Sequence, residues 1–307
     1  MKKRLLLIII FLTSYDFVSA NEYWKKDYSK IDSFALTIKE TSNIDTLSNE
    51  LTQNYLTDLE KYRAIFAWIT HNISYDCIAL KNPRLRETDA NKVIKNRKAV
   101  CAGYSNLFQK LCESANLECN TISGWSYHKE NIGEPLGNNS NHSWNAIKIQ
   151  NDWYLCDVTW GAGSTSENNR VFTFDFKDYY FCTPSLLFSY NHLPEDKKWL
   201  LGVKLAPKKF TNNPHYYPQA INLNVRDLKP STGIIKYKKN QTIEFEFTVD
   251  DEIKRITIMP SNAKKSTIID FALEDNRIKF DYVLDSYSPY IYIYIDSKPL
   301  VVYKIKK

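Results

Sequence analysis

The stretch AVCAGYSNLFQKLCESA, residues 99–115, predicts a helix that begins with a cysteine. Phe108, Leu111 and Cys112 are three or four residues apart, so they fall on one apolar face of this helix. Cys101 stands at the first turn, where unpaired N–H groups and the positive end of the helix dipole favour a thiolate. Taken alone, a buried structural thiol is the commoner role for a cysteine. The partners of Cys101 therefore decide its function.

A histidine and an aspartate lie on two strands predicted downstream of this helix. The strands span residues 142–149 and 153–159, and residues 150–151 can join them as a two-residue turn. In that register His142 and Asp157 point to the same face as diagonal neighbours, with Cα atoms ~7–8 Å apart. A turn moved by one residue at one end would put them on opposite faces.

Cysteine, histidine and aspartate together can carry out acyl transfer. The carboxylate of Asp157 would fix the tautomer of His142, whose other ring nitrogen would take the proton of the Cys101 thiol. Each of the three residues has a commoner structural role when considered singly. Their joint occurrence indicates an enzyme.

Length and composition bound the remaining possibilities. The chain has 307 residues, which favours two folded units. Its content of 43% hydrophobic and 25% charged residues argues against a disordered, collagen-like or multi-span membrane protein. The net charge of +6 is spread along the chain and gives no sign of nucleic-acid binding. Six cysteines are too few for a disulfide scaffold.

Residues 1–20 have the form of a secretory signal peptide. Three cations precede an apolar block, Leu5 to Leu12, and Val18-Ser19-Ala20 resembles a cleavage site. The block is shorter than the ~20 residues that span a bilayer, which favours cleavage over an N-terminal membrane anchor. We therefore expect an exported protein, periplasmic or extracellular, with no membrane span after cleavage. Its net charge would fall from +6 to +4.

The mature chain divides into four predicted segments. Residues 21–57 form a helical or extended N-terminal segment, and 58–205 form the catalytic domain. Residues 206–220 contain three prolines and are predicted to be a linker. Residues 221–307 alternate apolar and polar positions, as in Thr242 to Val249, and predict an all-β sandwich of immunoglobulin-like type. The irregular aromatic stretch from Phe172 to Leu201 is expected to be packed coil and short helix.

The chain resembles the transglutaminase-like superfamily, in the branch related to the kyphoscoliosis peptidase. The resemblance covers about residues 59–201 in order, and four stretches carry it: AWITHNISYD (67–76), AVCAGYSNL (99–107), HSWNA (142–146) and WYLCDVTWG (153–161).

This resemblance implies an α+β, papain-like fold in which a helix-start cysteine packs on an antiparallel sheet. It also implies Cys101 as nucleophile, His142 as base and Asp157 as the partner that orients it, working through a thioester with no cofactor. The backbone N–H of Cys101 is a candidate oxyanion donor. Val100 stands where animal transglutaminases have Gln, so no side-chain donor is implied and hydrolysis is favoured over amide cross-linking.

Other residues have weaker signals. Trp125, Tyr127, Trp144 and Trp160 flank the motifs and are candidate substrate-binding residues; core packing is at least as common for the last two, whereas the first two border a polar loop and are expected to be exposed. Tyr290 to Ile295 could present a tyrosine face to a carbohydrate or protein, or simply pack in the sandwich.

The remaining cysteines are Cys77, Cys112, Cys119, Cys156 and Cys182. A Cys112–Cys119 disulfide is one possibility, and buried reduced thiols are the other. No metal site is predicted, because the sequence has no CxxC and no close Cys/His pair.

We therefore expect a secreted hydrolase or acyltransferase with a Cys101-His142-Asp157 triad, acting on a peptide, protein or cell-wall peptide. The alternative is a catalytically inactive scaffold that keeps the fold and uses the β-sandwich for recognition. The sequence predicts neither the exact substrate nor the oligomeric state.

Overall fold

The structure is a computed structural model of the chain and describes residues 22–38, 42–166 and 168–307. The predicted signal peptide, residues 1–20, lies outside the described residues. Within the described ranges, no helix has the length and apolar character needed to cross a membrane.

The α-helices of the described residues cluster in the first two thirds of the chain. We number them in chain order: α1 Ser29–Ala35, α2 Ile44–Thr52, α3 Asp58–Asn72, α4 Cys77–Lys81, α5 Ala90–Asn96, α6 Cys101–Ser114, α7 Val158–Ala162, α8 Ser185–Phe188, α9 Pro207–Asn212 and α10 Pro218–Asn222.

The strands fall into two groups. Those of the first group are β1 Ser74–Tyr75, β2 Lys98–Ala99, β3 Cys119–Ser126, β4 His142–Ile149, β5 Asp152–Cys156, β6 Gly163–Thr165, β7 Phe172–Phe174, β8 His192–Pro194 and β9 His215–Tyr216. Those of the second are β10 Arg226–Lys229, β11 Ile234–Lys236, β12 Gln241–Thr248, β13 Ile256–Pro260, β14 Thr267–Ile269, β15 Ala272–Glu274, β16 Arg277–Leu284, β17 Tyr290–Ile295 and β18 Lys298–Lys306.

The central helices pack on a four-stranded antiparallel sheet. The strand order is β5-β4-β3-β8, and α6 lies against β4 and β3. Helix α3 begins at a capping box, in which Thr57 and Glu60 exchange side-chain and backbone hydrogen bonds. Its apolar face joins that of α6 in one core, which includes Trp68 and Phe108. A helix-start cysteine packed on an antiparallel sheet is the arrangement expected from the sequence.

The register of the β4–β5 hairpin agrees with the prediction. Ile149 pairs with Asp152, and the pairing continues to Asn145 opposite Cys156. The expected extension of the second strand to Thr159 is wrong, because β5 ends at Cys156 and the chain turns into α7.

The second unit contains two β-sheets. One sheet has the order β10-β12-β16-β15, and the other β11-β18-β17-β13-β14 with β9 paired to β18. Their facing side chains form one core that includes Phe245, Ile258 and Ile293. β11 and β18 run parallel, whereas the other pairs in these sheets are antiparallel.

The segment predicted as a linker, residues 206–220, is folded. It contains α9, β9 and the start of α10, with prolines at the first turns of both helices. Phe210 and Ala220 in this segment are fully buried. An apolar cluster around Phe210 joins the units, since it contains Tyr127 and Ile132 from the first unit and Val302 from β18.

Candidate active site

Cys101 lies at the first residue of α6 and is partly exposed, whereas the other five cysteines are buried. All six are free thiols in the structure, so the possible Cys112–Cys119 disulfide is not formed. The N-cap residue, Val100, supplies no side-chain hydrogen bond to the helix. The first N–H groups of α6 therefore depend on other partners, as expected for an anion-stabilising helix start.

Gly103 brings α6 close to its neighbours. A Cβ atom built on Gly103 would lie 2.6 Å from the Glu87 carbonyl oxygen and 2.7 Å from the Ala99 Cβ. This glycine therefore serves packing within the protein and fixes where the helix begins.

The Cys101 thiol lies beside the ring of His142 and the backbone N–H of Ser143. Burial alone would raise the pKa of Cys101, but the proximity and charge of His142, followed by the N–H of Ser143, lower it below the usual thiol value. The site thus favours a thiolate.

His142 begins β4 and is 6% exposed. Its Nε2 lies 2.7 Å from Oδ2 of Asp157, so Nε2 carries a proton and Nδ1 is left to face the thiol. Burial opposes charging of the ring, but the Asp157 carboxylate and then Cys101 raise the pKa of His142 to about 10. An imidazolium paired with a thiolate is the favoured state of these groups.

Asp157 is fully buried and caps α7. Its Oδ1 accepts the backbone N–H groups of Thr159 and Trp160, each at 2.9 Å. Its Oδ2 accepts from His142 and, at 3.0 Å, from Nε2 of His192. Burial disfavours the ionised carboxylate, but the charge and hydrogen bond of His142, followed by those of His192, hold the pKa of Asp157 well below its usual range.

His192 was not among the predicted site residues. It begins β8, which pairs with β3, and its Nδ1 lies 3.1 Å from the Phe188 carbonyl oxygen. Burial lowers the pKa of His192, while the bond to Asp157 opposes that effect. The only sequence signal was a histidine inside an aromatic segment, and a contact between residues 35 positions apart has no local periodicity to reveal it.

Two of the predicted aromatic residues pack against the histidines. The Trp160 ring centroid lies 5.4 Å from that of His142 and 4.5 Å from that of His192. Trp144 lies 5.9 Å and 5.1 Å from the same two rings and is 1% exposed. Trp144 is thus a core residue behind the site, whereas Trp160 is half-buried at it.

The expected exposure of Tyr127 is wrong. Its ring is 1% exposed, and its hydroxyl donates to the Thr211 and Asn213 carbonyls, because α9 and the chain after it cover this part of the predicted loop. Trp125 is half-buried, and its Nε1 donates to the Gly137 carbonyl at 3.0 Å.

The tyrosine face of β17 is also covered in part. Tyr290 and Tyr292 pack on the cluster between the two units, and Lys129 donates to the Tyr292 hydroxyl at 3.2 Å. Packing is therefore the role that the structure gives to this face.

His128 lies at the rim of the site. Its side chain reaches solvent, and its ring lies 6.2 Å from that of Trp160. The surrounding protein and the positive charge of His142 lower the pKa of His128. The loop after β3 therefore comes near Trp160, which in turn packs on His142.

One group of potential metal-ligating atoms emerges from the described residues. It consists of His142, Asp157 and His192, whose nitrogen and oxygen atoms lie within 4.8 Å of one another. Both imidazoles already hydrogen-bond Oδ2 directly, so we assign these atoms to proton transfer and not to metal binding. The arrangement can activate a thiol as nucleophile and return its proton to a leaving group.

Comparisons with known proteins identify relatives of this chain. The sequence model of the transglutaminase-like superfamily matches residues 45–158. Kyphoscoliosis peptidase from Homo sapiens is 32% identical over 213 residues, covering 69% of this chain and 32% of that protein. Its Mus musculus counterpart is 30% identical over 211 residues, covering 68% of this chain and 32% of that protein.

Among solved structures, an arylamine N-acetyltransferase from Bacillus cereus covers 79% of this chain and 92% of its own, at 11% identity and a TM-score of 0.33. The chain spans about a third of the length of the two kyphoscoliosis peptidases that it matches. The sequence matches identify the chain as a member of the transglutaminase-like superfamily, with its domain at residues 45–158, and as a relative of the kyphoscoliosis peptidases.

Proposed function

We propose that this protein is an exported, cysteine-dependent amide or peptide hydrolase or acyltransferase with a Cys101-His142-Asp157 triad. Members of its superfamily are typically cysteine-based hydrolases or acyltransferases. The observation that carries the proposal is the 2.7 Å contact of His142 Nε2 with Oδ2 of Asp157, beside a partly exposed Cys101 whose pKa the His142 ring lowers.

The proposed reaction has two steps. The Cys101 thiolate attacks a carbonyl carbon, and the His142 imidazolium gives its Nδ1 proton to the departing amine or ammonia, which leaves a thioester on sulfur. Water or a second amine then attacks the thioester, His142 takes up the proton of the attacking group, and the acyl group leaves as acid or amide. Asp157 remains ionised and holds the imidazole throughout.

The first turn of α6 is placed to stabilise the oxyanion. The backbone N–H of Cys101 is the candidate donor, and it belongs to a helix start whose N-cap gives no side-chain bond. Val100 has no polar side chain to add a second donor, so we keep hydrolysis ahead of amide cross-linking.

A peptide, protein or cell-wall peptide is the proposed substrate. The Cys101 thiol is partly exposed, so a substrate carbonyl can reach it from solvent. The signal-like sequence of residues 1–20 supports the proposed export. The inactive-scaffold alternative would be favoured by a thiol separated from the imidazole, and the lowering of the Cys101 pKa by the neighbouring His142 ring supports the enzyme.

Turnover of defined amides tests the proposal. Purified protein would be incubated with unlabelled peptides, and with glutamine peptides plus a fluorescent primary amine, and products would be followed by mass spectrometry. We expect cleavage, deamidation or amine incorporation by the wild type, a transient acyl adduct on Cys101, and loss of all products in Cys101→Ala. Equal turnover in wild type and Cys101→Ala would contradict the triad. If none of the amides gives an acyl adduct on Cys101, the inactive-scaffold alternative would be favoured.

A further inference from the structure

His192 is a buried histidine whose two ring nitrogens both have partners. Its side chain is 1% exposed, with Nδ1 3.1 Å from the Phe188 carbonyl oxygen and Nε2 3.0 Å from Oδ2 of Asp157. A neutral ring carries one N–H, and the ionised carboxylate can only accept, so we assign that proton to Nε2. Phe188 also stacks on the ring, with 4.0 Å between ring centroids. A residue held on both edges and one face has a fixed orientation relative to Asp157.

Packing alone does not explain a histidine at this position. Burying a polar ring costs free energy that hydrogen bonds must offset, whereas an apolar ring would fill the same space among Trp144 and Trp160 without that cost. A carboxylate oxygen shared by two imidazoles is the distinctive result of having His192 here. Its contact with Asp157 is therefore the feature that needs a function.

We propose that His192 is a positioning residue for the triad: its Nε2–H holds Oδ2 of Asp157 and shares that oxygen with His142, which limits how strongly the carboxylate stabilises the His142 imidazolium. This inference rests on the proposed function of the triad. It adds a fourth residue that acts through Asp157 and does not touch the substrate.

The direction of the effect follows from electrostatics. A donor on Oδ2 places positive potential near the carboxylate, so the carboxylate attracts the proton of His142 less than it would without that donor. The same coupling acts in reverse, because the charge of His142 lowers the pKa of His192. Removing the second donor should therefore raise the pKa of His142 further.

The titratable groups around the two histidines come from several elements. His142 faces Asp157 at the start of α7, Cys101 on α6 and His128 in the rim loop. His192 faces Asp157 and His142. Tyr180, whose pKa is raised first by burial, also feels the charge of Asp157.

The backbone beside His192 is anchored by the second unit. Asn191 donates its side-chain N–H to the Tyr216 carbonyl at 2.7 Å, and the Tyr190 ring stacks on that of Tyr216 at 4.1 Å. Tyr127 donates its backbone N–H to the Asn191 carbonyl at 3.0 Å. These contacts fix the strand start from which His192 reaches Asp157.

Two substitutions distinguish the contact of the ring with Asp157 from its contact with Phe188. In His192→Gln the amide nitrogen can occupy the place of Nε2 and keep the bond to Asp157. In His192→Asn the amide nitrogen can occupy the place of Nδ1, which keeps a polar group beside the Phe188 carbonyl and loses the bond to Asp157. Both variants are polar and smaller than histidine, so each serves as the folding control of the other.

Histidine-specific ¹⁵N NMR titration is the test, because the chain has only five histidines. We expect the His142 transition in His192→Asn to move up by about one pH unit, the scale of one hydrogen bond to a charged group, and to stay at the wild-type position in His192→Gln. An unchanged transition in both folded variants, or a downward shift in His192→Asn, would overturn the proposal.

The wild type alone also gives a decisive reading. We expect Nε2 of His192 to carry a proton across the range in which Asp157 is ionised. A neutral His192 with the proton on Nδ1 would overturn the inference even if both variants fail to fold. These results do not depend on catalysis. If the Cys101 thiol had ordinary reactivity, the proposed function would be wrong, but the hydrogen bond between His192 and Asp157 could still be observed.

Discussion

Asp157 is the residue whose carboxylate makes the most hydrogen bonds in the site. Its two oxygens accept four hydrogen bonds, two from the first turn of α7 and two from imidazoles. Capping a helix start stabilises its negative charge and also fixes the plane of the carboxylate. His142 therefore meets an oriented anion, which in turn favours the thiolate on Cys101.

Asp157→Asn is the substitution that tests this role. Its amide oxygen can still accept from Thr159 and Trp160, but its amide N–H would point at two imidazole Nε2 atoms that need an acceptor. We expect the Cys101 pKa to return toward the usual ~8.5, so the thiolate fraction and the alkylation rate at pH 6.5 should fall up to about a hundredfold.

Alkylation kinetics with a matched thermal melt would check the Asp157→Asn prediction. A rate within twofold of wild type, in a protein with an unchanged melt, would show that the carboxylate charge is not needed for activation.

At the same scale, the sequence alone pointed to three of the four residues that lie together in the site. Cys101, His142 and Asp157 stand in recognisable stretches at the start of a helix or near a hairpin. His192 stands in a segment with no clear periodicity, and only tertiary folding of β8 onto β3 brings it to Asp157. The burial of Tyr127 was missed for a similar reason, since its cover comes from α9.

At the scale of elements, the hairpin and α6 set the distances in the site. A two-residue turn at Gln150-Asn151 fixes the β4–β5 register, and sequence alone could predict this because side chains alternate along a strand. The end of β5 could not be predicted in the same way. Asp157 caps a five-residue helix there, and a short helix leaves almost no periodic signal.

Gly103→Ala tests the close approach of α6 to the chain before it. The new Cβ would meet the Glu87 carbonyl oxygen at 2.6 Å, and we expect the free energy of unfolding to fall by about 1–3 kcal/mol despite the better helix propensity of alanine. Gly137→Ala is the control, because its nearest neighbour, the Asn139 oxygen, would lie 3.8 Å away.

Urea unfolding of both glycine variants would measure the difference. The control should stay within about 0.5 kcal/mol of wild type. Equal free energies of unfolding for the two variants would refute the packing role of Gly103.

At the scale of the whole molecule, the two units share an apolar cluster. Tyr127 and Ile132 contact Val302 of the second unit. Lys304 of the same unit donates to the Ile132 carbonyl and the Glu134 carboxylate. Composition and strand alternation could predict two units. They could not predict this contact, because prolines mark both folded turns and flexible linkers.

The shared cluster predicts cooperative unfolding of the two units. All seven tryptophans lie between residues 24 and 199, so tryptophan fluorescence reports the first unit alone, whereas far-UV circular dichroism reports both. We expect the two signals to change at the same denaturant concentration. Phe210→Ala should lower both midpoints together, since it removes a buried ring from the cluster. A separate circular dichroism transition for the second unit at a higher denaturant concentration would contradict the coupling.

The most direct test of the account is the pH dependence of Cys101 alkylation by iodoacetamide. The Cys101 pKa is lowered and the His142 pKa is raised to about 10, so the thiolate–imidazolium pair exists above the first value. The pair is lost as the pH rises through the second value, because the imidazolium deprotonates and leaves the thiolate alone. We predict that wild-type Cys101 reacts at pH 6 to 7 at least about tenfold faster than His142→Ala and well ahead of the five buried cysteines. A Cys101 that reacts no faster than those cysteines, in either protein, would contradict the activated thiolate.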